Sequence, residues 1–283
     1  MAADRGHRGK IRREPAGRGE AMKIAVNGFD MNYTIEGPEG APWLTFANSL
    51  VTSLEMWDEQ ARALKDRFRV LRYDMRGHGR TAAPAPPYTI AQLASDVLAL
   101  WNAVGVDRTH YVGLSLGGMI GIHLAARRPE KFRCLIATDC RADANEAYQN
   151  VFVERIKTTR EKGMDGMVEP TLARFFTPGF VAKNPAAVDR FRAMIRNTAV
   201  DGHIGCCEAL RGLSEGANLP RIKVPTLFMG GEHDVGAAPE MMRPMAAAVP
   251  GARYVMLDGA GHISNIEAPQ RYLAEIEEFM TGK

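Results

Sequence analysis

"HYVGLSLGGMIG", residues 110–121, sets one serine among glycines between two apolar runs. The run before it, "THYVGL", reads as a buried strand, and residues 116–127 read as a helix. Gly113-Leu114-Ser115-Leu116-Gly117 therefore fits the G-x-S-x-G pattern in a strand–turn–helix context. A strand that reverses this sharply into a helix leaves no space for side chains beside the serine, hence the glycines. The turn lifts the Ser115 hydroxyl above the sheet and sets the Leu116 N–H, at a helix N-terminus, where an oxyanion would develop. Ser115 is the candidate nucleophile. The alternative is a plain packed turn.

Around this corner the pattern alternates. "KIAV" and "MNYTI" flank "NGFD" as a hairpin, "WLTFAN" (43–48) and "FRVLRYD" (68–74) are strands, and "MWDEQARALKDR" is an amphipathic helix. "TIAQLASDVLALWNAVGV" places Ile90, Leu93, Val97, Leu100, Trp101 and Val104 along one helical face, and "FRCLIATD" (132–139) is a further strand. Strands joined by helices through short loops predict an α/β chain with a mostly parallel sheet covered on both faces. From 141 to 218 the alternation stops, with "GMDGMVEPTLARFF" and "AAVDRFRAMIRN" the clearest helices. Strands return at 224–231 and 252–259, and "PQRYLAEIEEFM" closes the chain as a helix. The organisation expected is a core of 22–140 and 219–283 carrying an inserted helical cap, 141–218.

The 283 residues, 46% hydrophobic and 24% charged, suffice for a sizeable core. The net charge of +3 lies wholly in residues 1–21, where six basic side chains face three acidic ones. That glycine- and arginine-rich stretch has no apolar period and reads as a disordered tail without a secretory signal. The remainder is neutral, which argues against a nucleic-acid partner. No segment supplies the ~18 apolar residues that cross a bilayer. Cys134, Cys140, Cys206 and Cys207 lack C-x-x-C spacing, so reduced thiols in a cytoplasmic protein, with no metal centre, are expected.

A nucleophilic serine needs a base and a group that orients the base. In strand–turn–helix serine sites the acid and then the histidine follow the nucleophile along the chain. "FMGGEHDVGAAP" supplies Asp234 after one strand, and "LDGAGHISNIEAP" supplies His262 after the last, both at strand C-terminal ends. Asp139, ending the preceding strand, is the rival acid, and His233 a weaker alternative base. Asp74 precedes the serine and fits the order poorly. His78, in "RGHGRT", is expected to hold a tight loop, and Asp258 to cap the loop that carries His262. His7 lies in the tail, and His110, His123 and His203 lie in a strand, a helix and the cap.

The elbow "GLSLGG", the loop "YDMRGHGRT", the acid segment and "GAGHISNIEAP" together resemble the α/β-hydrolase superfamily over residues 24–281. Within it, "FANSLVTSLEMWDEQ", "PYTIAQLASDVLALWNAVGV", "CCEALR" and "SNIEAP" are similar to the 3-oxoadipate enol-lactonases. That family carries Asn-Ser-Leu before the oxyanion position, so the resemblance implies Leu50 N–H as the second oxyanion donor beside Leu116 N–H. Val51 stands where the family usually has glycine, Phe175 where it commonly has tryptophan, and "TDCRADAN" is closer to esterase-like relatives.

The resemblance implies hydrolysis of an ester-type bond in a small lactone of aromatic-acid breakdown, with no metal or organic cofactor. A general carboxylesterase, a C–C hydrolase of meta-cleavage products and a perhydrolase share the same three residues. A ligand receptor built on the fold would require neither Asp234 nor His262. The carboxylate of such a lactone needs a local cation, and Arg141 and Arg174, the latter beside Phe175, are the candidates.

Overall fold

The computed structural model describes residues 19–282. The disordered tail expected over 1–21 falls almost wholly outside that range. Eight strands, β1 (Met22–Val26), β2 (Phe29–Glu36), β3 (Trp43–Ala47), β4 (Arg69–Tyr73), β5 (Thr109–Leu114), β6 (Phe132–Thr138), β7 (Thr226–Gly231) and β8 (Arg253–Leu257), form one sheet. Their order is β1-β2-β4-β3-β5-β6-β7-β8. β1 and β4 run antiparallel to β2, and every other neighbouring pair is parallel. Asn27 and Gly28, with φ of 47° and 86°, turn the β1–β2 hairpin. Positive φ at both turn residues matches the twist of the paired strands.

The strand order reverses between β3 and β5, and Ala47 pairs with Gly113 at their C-terminal ends. The loops that leave these two strands diverge there. An open α/β sheet forms its binding crevice at such a point, and Asn48–Leu50 and Ser115 are the residues that follow.

Helices cover both faces. α1 (Asp58–Leu64), α2 (Ile90–Val104) and α3 (Leu116–Arg127) connect the first strands. Successive residues of β3 show which helix lies on which side. Thr45 accepts a hydrogen bond from Trp101 of α2, while Phe46 stacks on Trp57 beside α1. Trp101, Tyr111 and Phe132 pack edge to face or tilted on the first side. The Trp57–Tyr272 pair closes the second.

Between β6 and β7 come five helices, α4 (Glu146–Lys162), α5 (Asp165–Phe175), α6 (Pro178–Lys183), α7 (Pro185–Arg196) and α8 (Val200–Arg211), with no strand among them. α4 packs on α8 and α5, and α5 on α7. The excursion leaves and returns through an antiparallel bridge at Asp143 and Ser214, extended by the bonds Ala144 N–H to Leu213 O and Glu215 N–H to Ala142 O. α8 sits close on the core because two of its residues are glycine. A Cβ on Gly202 would lie 2.4 Å from Gly77 Cα, and one on Gly205 2.4 Å from the Tyr88 ring. α9 (Pro239–Ala248), α10 (Ser264–Glu267) and α11 (Pro269–Thr281) complete the chain. No helix among the described residues is long and apolar enough to cross a membrane.

Candidate active site

The Ser115 corner is as tight as its glycines suggest. Ser115 adopts φ 55° and ψ −115°, a region costly for any residue with a Cβ. A Cβ on Gly113 would lie 2.4 Å from the Gly117 backbone, and one on Gly117 2.3 Å from Ala47 O. Both contacts are with backbone, which cannot swing aside. The Ser115 N–H donates to Thr138 O, the Gly117 N–H to Asn48 O, and the Tyr111 hydroxyl to Gly117 O. The strained turn is thus held from β6, β3 and β5 together.

Asp234 and His262, 28 residues apart and on loops after β7 and β8, meet with Oδ2 2.8 Å from Nδ1. The Asp234 Oδ1 accepts from the N–H groups of Gly236 (2.7 Å) and Ala237 (3.1 Å). Burial pushes this carboxyl upward. The charge and hydrogen bond of His262 and the two N–H groups outweigh burial and hold it below the ordinary carboxylate range. An ionised Asp234 fixes the proton of the imidazole on Nδ1, leaving Nε2 as the basic nitrogen. Ser115 and His262 border the same cavity, and no hydrogen bond joins them among the described residues.

The rival acid is committed elsewhere. Asp139 is fully buried, accepts from the Gly231 N–H (2.9 Å), and lies with Oδ2 2.5 Å from Ser264 Oγ. Burial, then the nearby Asp234 charge, raises its carboxyl well above the usual range. His233 is exposed beside Glu232. His78 is buried with Nδ1 3.1 Å from Arg76 O, and burial lowers it to about 4. Asp74 accepts from Asn32, Leu54 and Arg80, stapling its loop.

One expectation is corrected. Asp258 is exposed, and its side chain makes no hydrogen bond or ion pair among the described residues. The histidine loop is held instead by Glu232, which accepts from the Gly259 N–H, and by Glu267, which accepts from the Gly261 N–H. Glu267 also accepts from the Thr177 N–H and hydroxyl, and the Ile263 N–H donates to Phe175 O. These bonds join the histidine loop to the end of α5.

The loop of Asn48–Leu50 follows β3. Asn48 is fully buried and donates to Tyr73 O (2.8 Å) while its carbonyl receives the Gly117 N–H, fixing the loop to the head of α3. Leu50 borders the cavity; Leu116 is the first residue of α3, its side chain in the core. Neither N–H donates in a loop or cap bond among the described residues. Val51 has φ 56°, rare for a β-branched residue. The glycine common at this position in the enol-lactonases would adopt that angle without strain. Here a buried valine side chain is retained on the cavity wall.

The cavity is small, about 30 Å³. Phe175 stacks on the His262 imidazole, with centroids 5.7 Å apart and planes 24° off parallel. Arg141 and Arg174 both border the cavity, as does Arg155 of α4, which sequence reasoning missed because nothing in its flanking residues marks it. Arg174 lies beside the acid–histidine pair. A Cβ on Gly236 would be 2.8 Å from its Nη2 and 3.6 Å from His262 Nδ1. A larger cavity, about 770 Å³, opens elsewhere, and none of Ser115, Asp234 and His262 borders it.

This chain resembles known proteins along most of its length. It is 33% identical to 3-oxoadipate enol-lactonase 2 of Acinetobacter baylyi over 88% of this chain and 92% of that protein. It is 29% identical to a putative carbamate hydrolase RutD of Pseudomonas savastanoi over 86% of this chain and 95% of that one. The crystal structure of the enol-lactonase from Burkholderia xenovorans LB400 superposes with a TM-score of 0.89 at 39% identity, covering 92% of this chain and 99% of that one. A family model described as the alpha/beta hydrolase fold matches residues 42–269, the span that holds the reversal point of the sheet and all three loops meeting there. The chain belongs to the alpha/beta hydrolase fold family.

Proposed function

We propose that this chain is a serine hydrolase that opens a small carboxylated lactone, of the type to which 3-oxoadipate enol-lactone belongs. The observation that carries the reading is one cavity bordered by a strained serine, a histidine bonded to an ionised carboxylate, and cationic side chains that form no ion pair among the described residues. The relatives named enol-lactonases support the substrate type.

In this reading His262 Nε2 takes the Ser115 proton as Oγ attacks the lactone carbonyl. The N–H groups of Leu50 and Leu116 receive the oxyanion. Asp234 holds the imidazole in its tautomer and stabilises the imidazolium. His262 then protonates the departing enol oxygen, and the ring opens to an acyl-enzyme. Water, deprotonated by the same histidine, releases the acid and restores Ser115. The enol becomes a ketone, which draws the reaction forward. The helices between β6 and β7 act as the cap, and Arg141 and Arg174 bind the substrate carboxylate.

A hydrolysis panel tests this: an acidic enol-lactone, a neutral aryl ester, a carbamate and a meta-cleavage product. The expected result is the highest kcat/KM on the acidic lactone, lost in Ser115→Ala with the fold retained by circular dichroism. Replacing Arg174 by Ala should raise KM for the acidic lactone by a factor equivalent to about 2–3 kcal/mol, and by much less for the neutral ester. Highest activity on the neutral ester, with Arg174→Ala acting equally on both, makes the protein a general carboxylesterase.

A further inference from the structure

Three guanidiniums border one cavity that contains the nucleophile. Arg141 follows β6, Arg155 is on α4 and Arg174 is on α5, so three separate segments bring them together. None forms an ion pair among the described residues. Arg141 lies over the Tyr148 ring, 4.2 Å from its centroid, and Arg155 Nη2 donates to Thr171 Oγ1. Both are neutral partners. The two carboxylates of the site are taken: Asp234 by His262 and two N–H groups, Asp139 by Ser264 and Gly231.

Two residues of this wall each hold a buried polar atom with no hydrogen-bond partner among the described residues, Arg155 Nε and Ser49 Oγ. Such groups are costly unless something satisfies them. Arg174 adds to the strain, since its charge opposes that of Arg141 and of Arg155. One carboxylate from a substrate can pair with one or two guanidiniums. It leaves at least one enclosed cation uncompensated beside a reacting centre that is itself neutral overall when Asp234 and an imidazolium are paired.

We propose that the preferred substrate carries two anionic groups, and that Arg155 is the specificity residue for the second. This rests on the proposed hydrolysis at Ser115 and extends its carboxylated substrate to an ester or lactone bearing two carboxylates, one more than 3-oxoadipate enol-lactone carries. Arg174, beside the acid–histidine pair, takes the group nearer the reacting carbonyl. Arg155 takes the farther one with its free Nε–H. The chemistry is unchanged: water adds across the ester bond, giving one new carboxylate and one enol or alcohol.

The test uses three phenolic esters: phenyl acetate (neutral), phenyl hydrogen succinate (one carboxylate) and 4-carboxyphenyl hydrogen succinate (two). In the wild type, kcat/KM should favour the diacid over the monoacid. Arg155→Gln should lower the diacid value on the order of 10-fold to 100-fold more than the monoacid value, the range of one charge-assisted hydrogen bond, with Arg155→Lys restoring part of the loss. An equal loss on all three esters, with a lowered melting temperature, makes Arg155 structural and overturns the proposal. A second arm does not depend on hydrolysis: glutarate should bind the wild type more tightly than butyrate by calorimetry, with that preference lost in Arg155→Gln. Equal binding of the two acids overturns the proposal even where Ser115→Ala shows the hydrolysis to be real. If no ester is hydrolysed yet glutarate is preferred through Arg155, the Ser115 reading fails and the dianion site stands.

Discussion

His262 Nδ1 lies 2.8 Å from Asp234 Oδ2, while the other buried acid at the site, Asp139, faces Ser264. The two acids should therefore respond differently to the same change. Asp234→Asn replaces an acceptor of the imidazole N–H by a group that can donate, mis-setting the tautomer. The expected loss is on the order of 10³ to 10⁴ in kcat. Asp139→Asn keeps an acceptor for the Gly231 N–H and replaces the oxygen that accepts from Ser264 by an amide N–H, to which the Ser264 hydroxyl can turn as acceptor. Its kcat should stay within roughly tenfold of wild type, far above that of Asp234→Asn. Steady-state kinetics on both variants decides it; a crippled Asp139→Asn with a mild Asp234→Asn would reverse the assignment.

Adjacent glycines at the elbow should differ as well. A methyl on Gly117 meets Ala47 O at 2.3 Å and Asn48 O at 2.8 Å, both backbone. Gly117→Ala must push β3 and the Asn48–Leu50 loop away, with about 1–3 kcal/mol of overpacking cost and, on the proposed mechanism, a fall in kcat as the Leu50 N–H shifts. On Gly118 the nearest atoms are Cys140 Cβ and Gly113 O, each at 3.0 Å. Gly118→Ala should be the milder change. Urea titration and kcat, measured together, would show whether the ranking holds.

Much of this was readable from the chain because it is local. The alternation of buried runs and helical periods marks the sheet, and the spacing of glycines about Ser115 marks the elbow. Asp234 and His262 follow strands whose C-terminal ends share one edge of the sheet. What was not readable depends on closure between distant segments. α4 buries only Tyr148, Phe152, Ile156 and Thr159, a stripe one residue wide that its many charges obscure. Arg155 on that helix looks like another solvated charge until α4 folds over Ser115. Glu267 resembles any helix-end glutamate. Its bonds to Gly261 and Thr177 exist only once the histidine loop meets the end of α5, and Asp258 was the nearer acid in sequence but not in space.

That junction makes a further prediction. Glu267→Gln should weaken the joint between the histidine loop and α5, since a charged acceptor of three donors becomes neutral. Bonds to a charged acceptor contribute about 1.5–3 kcal/mol where a neutral one contributes about 1. The variant should lose roughly 1–2 kcal/mol of stability. Its kcat should fall more than its KM rises, because His262 rather than the substrate-binding wall is displaced. Denaturant unfolding beside full kinetics separates this from a general loosening, in which KM would move as much.

The raised Asp139 carboxyl has a stability consequence whose sign can be worked out. In the unfolded chain this group loses its proton near the ordinary aspartate value of about 3.9. In the folded protein burial, and then the charge of Asp234, keep the proton on to higher pH. Between those two values the folded state holds more protons than the unfolded one, so stability falls as pH rises through the window. Asp234 behaves in the opposite sense: its lowered carboxyl contributes stability above the ordinary aspartate value, and that is lost as pH falls through its folded value. Asp139→Asn removes the first contribution and leaves the second. It also suits the site, since asparagine tolerates the φ of 49° found at Asp139. Urea unfolding at pH 5 and at pH 8 should therefore show Asp139→Asn gaining stability over wild type as pH rises. A wild-type advantage that grows with pH would mean that Asp139 is ionised in the folded state and is held there by its two hydrogen bonds.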